Sequence, residues 1–213
     1  MKHLLKLLII LPFFGYSQSA EDVLAKAIQY HDPNMAWNTL QTTLHFNETR
    51  PDGSNPKAMI YLDNVNGSMK INRNEEEVYE VNGDEAKVIK GEYDEARGVM
   101  LRNYYLYLWG LPMKLLDDGT PKIEQMEDEQ VDGKSTTVLR VAYEKDIWYF
   151  NFDKETGRML QYKFYKDEQA GKGELITLED EINVNGMKIP QKRSWYTLPE
   201  MKYLGTDILS RIE

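Results

Sequence analysis

Acidic side chains are the groups in this chain best placed to do chemistry. The pair Asp117-Asp118 follows an aromatic segment and precedes a glycine, and clusters occur at 75–77 and 179–181. Two carboxyl groups about 5–9.5 Å apart could hydrolyse a glycosidic bond, and an acidic cluster could bind a cation. Adjacent acids before a glycine are more typical of solvated turns. We therefore interpret all three clusters as turns and strand edges.

The histidines do not form a hydrolase or zinc motif. Neither His31 nor His45 belongs to an HExxH pattern or to a Cys/His cluster. A Gly-x-Ser-x-Gly elbow and a phosphate-binding glycine loop are also missing. Asp32 could orient His31 as a base, but a histidine at a helix end more often contacts the terminal carbonyls. The sequence predicts no enzyme, no metal and no cofactor, with a periplasmic hydrolase as a remote alternative.

The first seventeen residues have the pattern of a signal peptide. Lys2 and Lys6 supply positive charge, and residues 4–14 form an apolar run. The small residues Gly15 and Ser17 lie three and one positions before the predicted cleavage site. The apolar run is too short to span a membrane. We predict cleavage after Ser17, which leaves residues 18–213 as a single domain in the periplasm or outside the cell.

Composition narrows the classes of partner. The chain has no cysteine, so it can form no disulfide and can carry no lipid on an N-terminal cysteine. Its net charge of −9 falls to −11 when Lys2 and Lys6 leave with the signal peptide, which argues against nucleic-acid binding. A chain of this size buries roughly 70% of its unfolded surface without cross-links. We expect a monomer that does not span a membrane.

The first half of the chain predicts one helix followed by hairpins. Ser19 and Asp22 form a capping signal for a helix at about 20–30, which Pro33 ends. Residues then alternate with period two, and Pro51-Asp52-Gly53 and Asn82-Gly83 supply turns. The predicted strands are 40–47, 57–63, 68–73, 76–81 and 86–90.

The alternation stops between about 92 and 120. A second helix is predicted at 98–109, capped by Gly110, and one further turn is predicted at 112–116. The face of the second helix that should be buried consists of Val99, Met100, Asn103, Tyr104, Tyr107 and Leu108.

The second half of the chain predicts strands and turns almost to its end. The predicted strands are 122–130, 135–143, 147–153, 158–166, 174–184, 187–197 and 203–212. Twelve strands with two or three helices define an α+β class with an antiparallel sheet in one domain.

Aromatic side chains lie on both faces of the later strands. Trp148, Phe150 and Phe152 share one face, with Ile147 and Tyr149 on the other. Each buried aromatic removes roughly 150–250 Å² from water, so the second face needs a cover. The aromatic segment at 104–113 could plug a curved sheet, and the two could enclose an apolar ligand or fill each other. The candidate ligand-binding residues are Tyr104, Tyr107, Leu108, Trp109, Met113, Trp148, Phe150, Phe152, Tyr162, Phe164 and Trp195.

The order of these elements resembles the LolA-like superfamily of exported lipoprotein carriers, including the LppX and RseB types. The resemblance rests on the helix, the strand ending at 48–50, the turn at 51–53, the hairpin at 80–85 and the later run of hairpins. It implies a highly curved antiparallel half-barrel of about 11–12 strands with helices on its concave side and an apolar groove. LolA holds its helical lid closed through an arginine, and the resemblance implies that role for Arg50.

Three stretches are similar to a more specific group. The segments 110–115, 189–196 and 203–207 resemble an uncharacterised family of secreted proteins from Bacteroidota, for which no reaction is known. The sequence as a whole predicts a carrier or sensor that binds a lipid, an acyl chain or a lipoprotein in its groove. An envelope protein-interaction module with a self-filled groove is the alternative, and its partner would be another envelope protein.

Overall fold

The computed structural model of the protein describes residues 19–213. The predicted signal peptide lies outside these residues. Within the range described, no helix is long and apolar enough to cross a membrane.

One antiparallel sheet organises the molecule. Its strands are β1 Gln41–Thr49, β2 Lys57–Asp63, β3 Ser68–Arg73, β4 Glu77–Asn82, β5 Glu85–Lys90, β6 Ile123–Gln125, β7 Glu129–Val131, β8 Lys134–Ala142, β9 Ile147–Asp153, β10 Met159–Asp167, β11 Lys172–Val184, β12 Met187–Leu198 and β13 Tyr203–Ile212. Strands β1 to β5 form one meander and β8 to β13 form another, and pairing of β1 with β13 joins them. The short strands β6 and β7 both pair with β8. The sheet is open, which confirms the predicted α+β half-barrel.

The N-terminal helix forms as the sequence predicts. Helix α1 spans Ala20–His31, and the side chains of Ser19 and Asp22 make a reciprocal capping box. Its apolar residues recur every three or four positions, so Val23, Leu24 and Ala27 all enter the core.

The predicted strand 122–130 is two strands separated by a bulge. Gln125 pairs with Leu139 and Glu129 pairs with Thr136, so three residues of one strand face two of the other. The extra residue interrupts the ladder at 126–128, although Met126 still donates its amide to Val138. This split accounts for the count of thirteen strands instead of twelve.

The second helix differs from prediction in its start and in its buried face. Helix α2 spans Glu95–Asn103, capped by Asp94, and continues as a π-helical turn over Tyr104–Leu108. Met100 is 52% exposed, and Gly98 and Leu101 face the sheet instead. A Cβ on Gly98 would lie 2.6 Å from the Tyr79 ring, so the helix can approach the sheet closely along its glycine side. The predicted face was wrong at Met100 and Asn103, which are exposed because the glycine side faces the sheet, and it was confirmed at Tyr104, Tyr107 and Leu108.

A final short element follows Pro112. A 3-10 turn spans Met113–Leu116, as predicted, and Asp117 ends it. We call residues 104–116 the cover segment, because they lie on the concave face of the sheet.

His31 and Asp32 are structural, and neither is available as a catalytic group. The His31 ring is fully buried, with Nδ1 2.7 Å from the Lys188 carbonyl and Nε2 accepting the Met159 amide at 3.0 Å. The Asp32 carboxylate accepts the amides of Ala36 and Trp37, both at 2.8 Å. The histidine therefore joins α1 to β10 and β12.

Burial of His31 makes stability depend on pH. Burial lowers the pKa of His31 from 6.5 to about 4. As pH falls from 6.5 towards 4, the unfolded chain binds a proton at His31 that the folded protein does not bind. Stability at pH 4.5 should therefore be about 2–3 kcal/mol below its value at pH 7.5 from this group alone.

The test is denaturant unfolding of wild type, His31→Gln and His45→Gln at both pH values. We expect His31→Gln to be less stable at pH 7.5 but to lose most of this pH dependence. His45 is partly exposed, so its variant should keep the wild-type slope. Identical slopes in wild type and His31→Gln would contradict the assignment.

Candidate functional site

The concave face of the second meander has an aromatic floor. In the sheet register Phe150 lies opposite Tyr162, and Trp148 lies opposite Phe164. The Trp148 ring stacks on Phe164 with 4.7 Å between ring centroids, and on Tyr162 with 5.8 Å. Period-two alternation places these side chains on one face, as the sequence predicts.

The cover segment fills the space above this floor. Tyr107 packs edge-on against Trp148 at 5.6 Å, and its hydroxyl lies 2.8 Å from that of Tyr143. A Cβ on Gly110 would lie 2.5 Å from the Trp37 ring, so the segment bends tightly against the core there. The buried side chains of the segment are Tyr105, Leu108, Trp109, Leu111, Met113 and Leu115.

The structure brings all eleven predicted site residues together. Six are buried members of one hydrophobic core: Leu108, Trp109, Met113, Phe150, Phe152 and Tyr162. The other five are partly buried and pack against that core: Tyr104, Tyr107, Trp148, Phe164 and Trp195. Segment and floor therefore fill each other, and their role in binding stays a prediction.

Two buried carboxylates face each other where the meanders join. Glu48 on β1 lies directly opposite Asp207 on β13, and they are 1% and 2% exposed. Like charges directly opposite one another are destabilising. Arg50 relieves this, because its guanidinium contacts Glu48 and donates to Asp207 at 3.0 Å. Burial disfavours the charge on Arg50, but the carboxylates of Asp207 and Glu48 outweigh it and raise its pKa.

A second arginine and a tyrosine complete the shell around Glu48. Arg73 on β3 lies 3.1 Å from the Glu48 carboxylate and donates to the Tyr105 hydroxyl at 2.6 Å. Tyr105 in turn donates to Glu48 at 3.1 Å. Burial raises the pKa of Tyr105, so its hydroxyl stays protonated as a donor. Glu48 thus ties the cover segment to β1 and β3.

Asp207 ties the same segment to the second meander. The Tyr104 hydroxyl donates to Asp207, and the Trp195 indole donates to it at 2.9 Å. The Tyr104 and Trp195 rings stack with 5.8 Å between centroids. Tyr104 and Tyr105 therefore bind one carboxylate from each half of the sheet.

Arg193 holds the middle of the cover segment. Its side chain is fully buried on β12, lies over the Trp109 ring at 3.5 Å and donates to the carbonyls of Pro190 and Leu108. Burial lowers its pKa. Among residues 19–213, the buried polar atoms without a hydrogen-bond partner include the Tyr162 hydroxyl, the Trp109 indole nitrogen and Arg193 Nε. Polar atoms without partners are thus buried where Arg193 meets the segment.

The arginines that donate to the cover segment are Arg73 and Arg193, whereas Arg50, to which the resemblance implied that role, acts through the carboxylates that hold Tyr104 and Tyr105. Arg50 makes ion pairs with Glu48 and Asp207, whereas Arg193 donates to a carbonyl of the segment. Sequence reasoning missed Arg193, Glu48 and Asp207. A signal was present, because each alternates at period two with apolar residues of its strand: Glu48 with Leu44 and Phe46, Asp207 with Leu209, and Arg193 with Trp195.

Acidic groups considered in the sequence for catalysis or cation binding are held in ion pairs. Asp117 contacts Lys114 in a turn, and Glu77 contacts Arg73 and Arg97. Within the described part of the chain, no group of three or more metal-ligating side chains could hold an ion.

Cavities lie at the rim and on the outer face. A shallow, open pocket of about 220 Å³, which we call the rim cavity, is lined by Arg50, Tyr104, Glu174, Trp195, Leu204 and Asp207. An open depression of about 670 Å³ lies on the outer face beside His45, Met59 and Arg211. The rim cavity adjoins the aromatic groove, and the outer one does not.

The fold of the chain matches those of several solved structures. The chain is similar to a LolA superfamily protein from Nitrosomonas europaea, with 12% identity, a TM-score of 0.60, and coverage of 92% of this chain and 94% of that chain. It is also similar to a putative outer membrane lipoprotein-sorting protein domain from Vibrio parahaemolyticus, with 12% identity, a TM-score of 0.60, and coverage of 92% of this chain and 91% of that chain. A DUF1329 family protein from Desulfovibrio piger has 12% identity and a TM-score of 0.53, with coverage of 92% of this chain and 93% of that chain. The protein therefore has a LolA-like fold.

The family is established by sequence. A model of the family of unknown function DUF6503 matches residues 84–213, and the chain belongs to that family. No curated protein sequence matches the chain. The predicted origin in Bacteroidota stays a prediction.

Removing the Glu48 charge should destabilise the protein far more than removing an exposed charge. Glu48→Gln leaves Arg50 and Arg73 with less compensation in a buried site, and we expect a loss of about 3 kcal/mol in the free energy of unfolding. Glu80 pairs with Lys70 on the surface, so Glu80→Gln should cost less than about 1 kcal/mol. Urea unfolding measures both, and equal losses would contradict the structural role of Glu48.

Proposed function

We propose that the protein is exported and binds an apolar ligand between the aromatic floor and the cover segment, acting as a carrier or sensor of a lipid, an acyl chain or a lipoprotein. The observation that supports this is that the chain's own residues 104–116 occupy the concave aromatic face without a covalent link to it. A ligand would take the place of these side chains.

The energies of the two occupants are similar. A chain of a dozen methylene groups gains about 10 kcal/mol on full burial. The buried side chains of the cover segment gain about 1.5–3 kcal/mol each. Displacing about four of them therefore offsets the gain of the ligand chain. Such an exchange can be driven by modest changes in ligand concentration or partner contact.

Polar contacts decide where the segment would open. Arg193 donates to the Leu108 carbonyl and lies over Trp109, whereas Tyr104 and Tyr105 donate to buried carboxylates. All of these hydrogen bonds have a charged partner and belong to the stronger kind. The two tyrosines, however, are held by two carboxylates, whereas the middle of the segment is held by the single guanidinium of Arg193. We expect the stretch after Leu108 to move while Tyr104 and Tyr105 stay attached.

A second candidate follows from the filled groove. Since floor and segment pack against each other, the protein could act as an envelope interaction module whose partner docks on exposed surface. In that case an apolar chain would not bind in the groove, and a partner protein would be captured equally well by Trp148→Ala.

Export should remove residues 1–17 and leave Gln18 at the N-terminus. Intact-mass measurement of the protein from a secreting bacterial host checks this. Leu8→Arg interrupts the apolar run and should keep the full-length chain inside the cell. Recovery of uncleaved protein from the wild-type gene in the periplasm would contradict the predicted cleavage.

Loosening the cover segment should strengthen binding of an apolar chain. In Arg193→Met the guanidinium contacts with Leu108 and Trp109 are lost, and we expect dodecyl maltoside, below its micelle concentration, to bind about 5–10-fold more tightly. Binding is followed by tryptophan fluorescence, and Trp109→Phe should reduce the change because Trp109 moves, while Trp148 in the floor still reports the ligand.

Arg211→Met is the matched control, since Arg211 is exposed on the neighbouring strand β13. It should bind as wild type does, and circular dichroism confirms that each variant is folded. Unchanged or weaker binding by folded Arg193→Met would contradict displacement of the segment. No binding by any variant would favour the interaction module.

A further inference from the structure

The rim cavity contains a carboxylate without a partner. Glu174 on β11 lines the cavity of about 220 Å³, and none of the described residues forms an ion pair or hydrogen bond with its carboxylate. Asp207 in the same cavity accepts from Arg50, Tyr104 and Trp195. Glu174 is therefore the group there with unused capacity to accept hydrogen bonds.

Glu174 lies at the end of the aromatic floor. It is directly opposite Phe164 on β10, which is itself opposite Trp148 on β9. Residues directly opposite in a sheet share a face. A ligand chain lying on the Trp148 and Phe164 rings would place its head group beside Glu174.

The other cavity walls favour a cation over an anion. Arg50 is already matched by two carboxylates, Glu48 and Asp207, so it offers little to an incoming anion. The stacked rings of Tyr104 and Trp195 also line the cavity, and aromatic faces attract cations. Two carboxylates, two aromatic rings and one neutralised arginine suit a positively charged group.

We infer that the rim cavity binds the ammonium head group of an amphiphile whose apolar chain occupies the groove, with Glu174 as its ion-pair partner. This inference rests on the proposed function, because it needs the chain on the aromatic floor. It adds the head-group class: an amine, in preference to a carboxylate, sulfate or uncharged sugar.

Burial at the rim fits this role. Partial burial raises the pKa of Glu174 although the charge of Lys166 lowers it, so the carboxylate is less stable there than in water. Glu174→Gln removes that cost and should therefore fold. A bound ammonium would compensate the charge in the wild type.

The experiment compares three probes of equal chain length below their micelle concentrations: dodecylammonium, dodecanoate and dodecyl maltoside. Calorimetric titration at pH 7.5 gives each affinity for the wild type and for Glu174→Gln. We expect the wild type to bind dodecylammonium about tenfold more tightly than the other two. In Glu174→Gln the three affinities should come within about twofold of one another.

A matched variant separates the local charge from the net charge. Glu179 lies on the same strand and pairs with Lys192 on the surface, so Glu179→Gln makes the same charge change elsewhere. It should keep the preference for ammonium. Loss of the preference in both variants would mean attraction by the acidic protein as a whole and would overturn the inference.

The remaining outcomes separate the inference from the function on which it rests. If all three probes bind the wild type equally, or dodecanoate binds best, the ammonium site is wrong while groove binding stands. If no probe binds the wild type or Arg193→Met, groove binding itself fails, and the head-group inference fails with it.

Discussion

Two carboxylates buried opposite each other are the constraint on which the concave face depends. Glu48 and Asp207 face one another on β1 and β13, the pair of strands that joins the two meanders, so their repulsion would weaken that pairing. Arg50 bridges them, and Arg73 adds a second cation at Glu48. The two carboxylates also accept hydrogen bonds from the hydroxyls of Tyr104 and Tyr105, so the β1–β13 pair fixes the start of the cover segment.

This arrangement divides the cover segment into parts held by different forces. Its first turn is held through charge-assisted hydrogen bonds, and its later part is held by apolar packing together with one arginine over Trp109. Apolar packing is not directional, so a ligand chain of similar size can replace it. Charge-assisted contacts have no such substitute in an acyl chain. Under the proposed function, the tyrosine contacts are the fixed attachment and the apolar packing is the part that a ligand replaces.

The sequence predicted the strands well, because most hairpins combine period-two alternation with a turn that contains glycine. Strands β2 and β3 match their predicted bounds, and the aromatic floor lies on the face that alternation gave. The helix face failed because Gly98 packs against Tyr79, which no periodicity of large side chains can reveal. The split at 126–128 depends on register with β8, a non-local property.

The candidate site was predictable in its apolar part and not in its polar part. The eleven aromatic and aliphatic residues share one core because their spacing follows the sheet and helix periods. Glu48 and Arg193 look like exceptions to an apolar pattern, and their partners come from strands and turns distant in sequence. Pairing of buried charges requires the folded arrangement, so sequence can mark such residues but cannot assign their partners.

The central claim is that the cover segment and an apolar ligand compete for one concave surface. Hydrogen–deuterium exchange of the full mature protein, with and without saturating dodecyl maltoside, tests it most directly. The competition predicts faster exchange of the amides from about 108 to 116 in the bound state, with α1 unchanged. Slower or unchanged exchange of these amides in a protein that binds the ligand would contradict it.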